Sequence, residues 1–344
     1  MENITEPARD LAALGWHAFF QDQLLGEEAD LVPMRIAIVH RSRLTAISVT
    51  GTHTVFLPHK VRTTDFAVGD WLLVNPETDV MVRRLDRKSL LRRRVEGAHL
   101  PQLISANVDT LFVVSSCNAD FNPARLERYL AIANDAGTYP VIVLTKIDQT
   151  DDAQSFVDIA KGLQRDLAVI AVDSTHPDAR DAFMPWCAPG QTVALIGSSG
   201  VGKSTLLNAL AEKKATEAQA TNDIREDDAK GRHTTTSRSL HATREGAWVI
   251  DTPGMRTLHM GEVAEGIEML FAEIVELAPN CRFRNCTHIH EVGCAVLAAV
   301  GDGSLDSARY ERWKKLDAEN RQNTVVHNGP RGGIKKVPYK KKRY

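Results

Sequence analysis

The run Gly197-Ser198-Ser199-Gly200-Val201-Gly202-Lys203-Ser204, set between the apolar stretch TVALI and the segment STLLNALAE, constrains this chain more than any other feature. Its G-x-x-x-x-G-K-[ST] spacing requires a strand, a glycine-rich turn and a helix in immediate succession. Only then can backbone N–H groups wrap a phosphate with the positive end of the helix behind them. Lys203 is expected to reach the β- and γ-phosphates, and the Ser204 hydroxyl, followed by Thr205, to take a Mg²⁺ position. A nucleotide-binding α/β unit follows from this segment alone.

The flanking pattern agrees. From about 98 to 262, apolar runs at 111–116 (LFVVSS), 140–145 (PVIVLT), 167–172 (LAVIAV), 192–197 (TVALIG) and 247–251 (AWVID) alternate with helical stretches. One such stretch opens on Asn122 as N-cap and Pro123 as first helical residue, with Leu126, Tyr129, Leu130 and Ala133 at helical spacing. Near-continuous apolar strands between helices imply a parallel sheet covered on both faces. Residues 34–95 differ, with five short strands punctuated by Gly51, Pro58, Gly69-Asp70 and Asn75-Pro76. That is the pattern of a small barrel of the oligonucleotide-binding (OB) kind, which an SH3-like barrel would also give. Residues 1–33 read as a helical arm, with Leu11, Leu14 and Ala18 on one side. After 262, Val263, Ile267, Leu270, Phe271, Ile274 and Leu277 form an apolar helix face, and a later helix carries Tyr310, Trp313 and Leu316. The expected organisation is therefore an arm (1–33), a barrel (34–95), a nucleotide-binding domain (98–262), a helical domain (263–330) and a tail (331–344).

At 344 residues, 43% hydrophobic and 25% charged, the chain is an ordinary globular one of several domains. No apolar run approaches the ~18 residues of a membrane span, and the N-terminus lacks a basic-then-apolar leader, so a cytoplasmic protein is expected. The net charge of −2 is unevenly spread: the last fourteen residues carry seven Lys/Arg and no acid, leaving 35 basic against 44 acidic residues elsewhere. A second run, RRLDRKSLLRRR at 83–94, holds seven positives and one Asp. A polyanion partner is one reading of both, and charge alone favours the other, a solvated tail and a solvated strand edge.

Two further segments identify the base. Asp251-Thr-Pro-Gly254 ends the strand AWVI, where the Asp can hold Mg²⁺ through water and the Gly254 N–H can meet a γ-phosphate. Thr145-Lys146-Ile147-Asp148 ends PVIVL, where a carboxylate can accept from N1–H and the 2-amino group of guanine, a donor pair that adenine lacks. The Lys146 stem would cover the base. All three motifs fall at the carboxyl ends of strands, where open α/β sheets bind ligands. Their order is rotated from the usual one, in which the base motif comes last: here TKID comes first, the phosphate loop second and DTPG last. This circular permutation preserves the sheet only if the usual termini are joined and the chain is opened after D-x-x-G.

Five cysteines are present, and three of them join a histidine in Cys281-x4-Cys286-x-His288-x5-Cys294. Three thiolates and one imidazole close a tetrahedral site with no open position, the donor set of a structural Zn²⁺, with His290 as an alternative nitrogen ligand. Arg282, Phe283, Arg284 and His290 interleave basic and aromatic groups through the same loop, a composition suited to RNA. Cys117 and Cys187 stand alone and read as small buried hydrophobes.

Taken together, a barrel, a permuted nucleotide-binding domain with TKID, GSSGVGKST, GRHTTT and DTPG, and CRFRNCTHIHEVGC resemble the bacterial ribosome small-subunit-dependent GTPase (RsgA) family over about residues 34–320. The resemblance implies a late maturation factor of the small (30S) ribosomal subunit. Such a protein contacts 16S rRNA, hydrolyses GTP slowly alone and faster on the subunit, and helps release ribosome-binding factor A. It also favours His288 over His290 as zinc ligand. Met255 occupies the place where many GTPases orient the attacking water with glutamine, and the resemblance gives that role to His233 in Gly231-Arg-His-Thr-Thr-Thr236. Thr235, or else Thr234, is the expected switch residue sensing Mg²⁺ and the γ-phosphate, and Asp173-Ser174 is the nearest match to the last base-side motif. A GTP- or guanosine-tetraphosphate-sensing regulator with little turnover is the alternative. A DNA-binding zinc ATPase is disfavoured by TKID, and nothing in the sequence asks for a dimer or a membrane.

Overall fold

The computed structural model describes residues 10–93, 101–210, 238–251 and 263–323. The barrel is built from β1 (Val32–Val39), β2 (Leu44–Ser48), β3 (Gly51–Val55), β4 (Trp71–Val74) and β5 (Met81–Arg84). β1 pairs antiparallel with both β2 and β4, β2 pairs with β3, and β4 pairs with β5. A parallel bridge from Phe56 to Val80 joins the end of β3 to the start of β5. The closed order β1-β2-β3-β5-β4 is the Greek-key arrangement of the OB barrel, and it excludes the SH3-like alternative because β4 returns beside β1. Met34, Ile36, Leu44, Ala46, Val55, Leu72, Val74 and Met81 fill the barrel. The alternate residues Ala37, Trp71 and Leu73 belong to a different core, outside the barrel. β4 is thus apolar at every position because both of its faces are covered.

That outer cover corrects the expected helical arm. Residues 10–31 form a strap of turns with a four-residue helix, α1 (Ala18–Gln21), and a 3-10 turn at Gly26–Glu28. Leu14, Trp16 and Phe20 are all buried, at offsets of two and then four residues that no single helix face provides. Trp16 meets Trp71 edge-on with centroids 4.9 Å apart. Tertiary burial of these rings overrides helical periodicity. Beneath them the fully buried Arg35 guanidinium donates to the Leu14 carbonyl at 2.7 Å and to Thr192 Oγ1 at 2.6 Å, joining strap, barrel and the next domain.

The nucleotide-binding domain contains β8 (Thr110–Ser116), β9 (Tyr139–Thr145), β10 (Ala168–Ala171), β11 (Thr192–Gly197), β12 (Ser239–Ala242) and β13 (Trp248–Asp251). Across the sheet the order is β10-β9-β8-β11-β13-β12, parallel except for β12. β11, which precedes the phosphate loop, lies near the centre, so the permuted chain retains the sheet expected of it. The flanking helices are α2 (Pro123–Asp135), α3 (Ala153–Lys161) and α4 (Lys203–Leu210). Asn122 Oδ1 caps α2 by accepting from the Arg125 N–H at 3.0 Å, and Leu126, Tyr129, Leu130 and Ala133 are buried, as the sequence pattern requires. Two features lay outside that pattern. A hairpin of β6 (Leu90–Arg93) and β7 (Gln102–Ala106) spans the expected barrel boundary, and β12 bridges to β1 through Ile38 and Ser239, making one continuous sheet from domain to barrel.

The C-terminal helices are α5 (Ala264–Leu270), α6 (Ala272–Leu277), α7 (Ala295–Gly301) and α8 (Ser307–Asn323). The single expected helix after 262 breaks at Phe271, whose ring lies beneath the Arg309 guanidinium at 4.2 Å. Tyr310, Trp313 and Leu316 are buried as expected. The domain docks on α2 through a buried carboxylate, Glu127, which accepts from Arg309 at 2.7 Å and from Arg312 at 2.9 Å. α5 crosses α2 at Gly266, where an added Cβ would lie 1.9 Å from the Ala131 carbonyl oxygen. Gly266→Ala gains ~1 kcal/mol of helix propensity, but overpacking two backbones costs about 1–3 kcal/mol. A lowered Tm in thermal unfolding is the expected result; a Tm at or above the parent value would show that the two helices separate freely.

Among the described residues no helix is long and apolar enough to cross a membrane.

Candidate nucleotide and zinc sites

The phosphate loop leaves the C-terminal end of β11 and enters α4 at Lys203. Gly197 has φ +149°, and a Cβ there would lie 2.2 Å from the Val114 carbonyl oxygen, so β8 and the loop pack backbone to backbone. The Lys203 ammonium is folded over the turn and donates to the Gly197 carbonyl at 2.8 Å and to the Ser198 carbonyl. Val201 and Leu206 are buried and anchor the turn, while Ser204 and Thr205 are exposed at the helix start.

TKID follows β9, two strands away, and the structure joins it to the loop. The buried Thr145 hydroxyl lies 2.7 Å from the Val201 carbonyl and 3.1 Å from that of Ser115. With one proton to donate, the shorter contact is the stronger bond. Lys146 adopts a left-handed conformation (φ +58°), which turns the chain sharply into the 3-10 turn Ile147–Gln149 and leaves Asp148 exposed. Asp173 and Ser174 follow β10. The Asp173 carboxylate accepts from the Thr175 hydroxyl at 2.6 Å and its N–H at 2.9 Å, which holds its pKa below the usual range. A Cβ built on Gly202 would lie 3.4 Å from Ser174 Oγ. Thr145, Ser174 and the phosphate loop therefore meet at one end of the sheet. Asp251 ends β13 beside β11. His233, Thr234, Thr235, Gly254, Met255 and the basic tail lie outside the described residues.

In the C-terminal domain, the ligand atoms of Cys281, Cys286, His288 and Cys294 all lie within 4.8 Å of one another. His288 Nδ1 is 3.5 Å from Cys281 Sγ and 3.4 Å from Cys294 Sγ, and those two sulfurs are 3.9 Å apart. A tetrahedral zinc with Zn–S of about 2.3 Å and Zn–N of about 2.0 Å would set S···S near ~3.8 Å and S···N near ~3.5 Å. The donor set and its spacing thus fit one Zn²⁺, and His288 rather than His290 completes it. Backbone N–H groups of Ala295 and Leu297 point at Cys281 and Cys294 sulfurs at 3.3 and 3.4 Å. Such bonds stabilise thiolate.

Two supports escaped the sequence reading. Glu291 accepts from the Thr287 N–H (2.8 Å) and hydroxyl (2.5 Å) and from the N–H groups of Ile289 and His290, bonds that hold its pKa far below the carboxylate range. The Tyr310 hydroxyl donates to the His288 carbonyl at 2.6 Å, fixing a ligand that sits at φ +61°. Neither residue belongs to a ligand pattern, so no local signal could have singled them out. Cys117 and Cys187 are buried, and burial raises both thiols, Cys187 to about 12, which keeps them protonated and inert.

Comparisons with known proteins agree with this geometry. A sequence model of the RsgA GTPase family matches residues 84–261. A protein from Mesorhizobium japonicum named small ribosomal subunit biogenesis GTPase RsgA is 58% identical over 332 residues, covering 96% of each chain. One from Vibrio vulnificus, small ribosomal subunit biogenesis GTPase RsgA 2, is 45% identical over 95% of this chain and 93% of its own. Among solved structures, YjeQ from Thermotoga maritima matches with a TM-score of 0.61 over 84% of this chain and 98% of its own. YloQ, described as a circularly permuted GTPase, matches with a TM-score of 0.59 over 88% and 100%. Both structures are 23% identical to this chain and bear on the fold alone. With a family match over more than half its length and a relative of this identity end to end, the chain belongs to the RsgA family of circularly permuted GTPases.

Proposed function

We propose that this GTPase acts in the late maturation of the small ribosomal subunit, hydrolysing GTP slowly when free and faster when bound to the subunit. The observation that carries the reading is the 58% identity, over nearly the whole chain, to a protein named for biogenesis of that subunit. The site residues have these proposed roles. Asp148 reads the guanine edge, with Lys146 and Ile147 beside the base and Thr145 holding their loop to the phosphate loop. Asp173 and Ser174 close the base side. The backbone from Gly197 to Thr205 cradles the phosphates, and Lys203 moves from its loop carbonyls onto the β- and γ-phosphates. Ser204, Thr235 and Asp251 would hold Mg²⁺, which, when bound, offsets charge on those phosphates. Gly254 would donate to the γ-phosphate and His233 would orient water. The Cys281, Cys286, His288, Cys294 set holds a structural zinc.

The barrel, the zinc loop with Arg282, Phe283 and Arg284, and the basic tail are the proposed contacts to 16S rRNA. A monomeric cytoplasmic protein that promotes release of ribosome-binding factor A completes the reading. Steady-state hydrolysis of GTP and ATP, each with and without purified small subunits, tests it. GTP-selective turnover that rises sharply with subunits is expected. Selective turnover that ignores subunits would overturn the ribosomal part, and GTP binding without turnover under either condition would leave a nucleotide sensor.

A further inference from the structure

The basic run 83–94 reads, in sequence, as a polyanion patch or a solvated face, and the structure ties several of its described members to acidic partners. Arg83 is held by Glu28 at 2.5 Å, Arg87 grips both oxygens of the buried Asp70 at 2.6 and 2.7 Å, and Lys88 pairs with Asp109 at 2.8 Å. Arg84 is left with a 3.9 Å approach to the Asp70 carboxylate that Arg87 already occupies. It faces a cleft of about 510 Å³ between strap and barrel, lined by Phe19, Gln23, Arg84, Asp86 and Arg87. That volume accommodates a nucleotide-sized ligand.

The cleft is held open by bonds across it. Gln23 ties the two walls together: its side-chain oxygen accepts from the Asp86 N–H at 2.6 Å and its amide donates to the Phe19 carbonyl at 3.1 Å. Phe19 stands edge-to-face on the buried Phe20 yet remains 39% exposed, while Trp16 and Phe20 beside it are buried. Among the described residues the exposed Asp86 carboxylate makes no hydrogen bond and no close ion pair, and its charge acts on Arg83 and Arg84 through space. A partly exposed aromatic ring, a carboxylate without a hydrogen bond and a guanidinium with only a 3.9 Å ion pair converge on one cleft. A flat base with adjacent N–H donors and a neighbouring phosphate satisfies all three.

We propose that this cleft binds one unpaired guanine of single-stranded RNA, stacked on Phe19, with Asp86 accepting from its Watson–Crick edge and Arg84 on the adjoining phosphate. The proposal rests on the small-subunit reading above and names an RNA contact of that protein. The cleft is made by the strap, the end of β5 and the chain leaving it.

The test uses full-length protein and fluorescence anisotropy with labelled r(UUGUUGUU) and r(UUUUUUUU), alongside co-sedimentation with purified small subunits. Tighter binding of the guanine-containing strand is expected. Phe19→Leu, which keeps apolar packing but removes the stacking face, should weaken that binding by about ten-fold with Tm unchanged. Asp86→Asn should abolish the preference between the two strands. Tyr139→Leu, at a 50% exposed aromatic on the nucleotide-binding domain, should change neither. Parent affinity retained by Phe19→Leu, or a parent protein without guanine preference, overturns the proposal even if subunits still co-sediment. Loss of subunit co-sedimentation by the parent protein removes the functional reading itself.

Discussion

Cys294→Ser is expected to abolish zinc binding and release the loop from Cys281 to Cys294, while GTP binding persists. Structural zinc contributes an apparent ~10–16 kcal/mol to small zinc-dependent folds, more than the polar bonds of this loop can replace. Glu291 and Tyr310 hold the backbone through neutral or singly charged hydrogen bonds, worth about 0.5–3 kcal/mol each. Metal analysis should fall from one zinc per chain to none, and hydrogen exchange should rise across 281–301. The docking of α5 and α8 on α2 through Glu127, Arg309 and Arg312 uses none of the four metal ligands, so the nucleotide-binding domain should keep its own transition. A loop that stays protected after chelation would mean that Glu291 and Tyr310 suffice, and that zinc is incidental.

Asp148→Asn is expected to weaken GTP binding by at least about a hundred-fold and to move preference toward xanthosine triphosphate. Hydrogen bonds to a charged group are worth ~1.5–3 kcal/mol each, and the proposed carboxylate makes two of them to guanine. The amide also presents a donor to the guanine N1–H, whereas xanthine offers an oxygen where guanine has its amino group. Nothing in the fold opposes the substitution: Asp148 is exposed on a 3-10 turn whose position is fixed by Lys146 and by the Thr145 bond to Val201. Titrations with fluorescent GTP and its xanthine analogue check this. Unchanged base selectivity would show that another group reads the base.

Much of this protein was readable residue by residue where the physics is local. The phosphate loop must be glycine-rich between a strand and a helix. The α2 cap needs Asn122 followed by Pro123, and a Cys3His set spaced over fourteen residues has one evident use. The permutation was legible as well, because the order of three strand-end motifs fixes which termini must join, and the observed sheet carries the motif-bearing β9, β11 and β13 parallel to one another. The arm failed where local and long-range terms compete. Leu11, Leu14 and Ala18 suit a helix, but burying Trp16 and Phe20 against Trp71 contributes more than about four residues of helix propensity can return. The expected helix after 262 divided at Phe271 for a similar reason, since the ring packs under Arg309.

By itself, the sequence determined which chemistry-bearing groups this chain carries: a glycine-rich loop of the phosphate-wrapping pattern, the carboxylate proposed above to read guanine and a four-donor metal set, each specified by residue type and short spacing. Only the tertiary structure decided how those parts are joined. Arg35 links strap, barrel and β11. β12, which follows the segment containing His233 and Thr235, pairs with the barrel's β1. Glu127, 182 residues from Arg309 in the chain, docks the zinc domain on α2. Such contacts depend on which distant surfaces remain apolar or unpaired after each domain has folded, and that quantity has no periodicity to read.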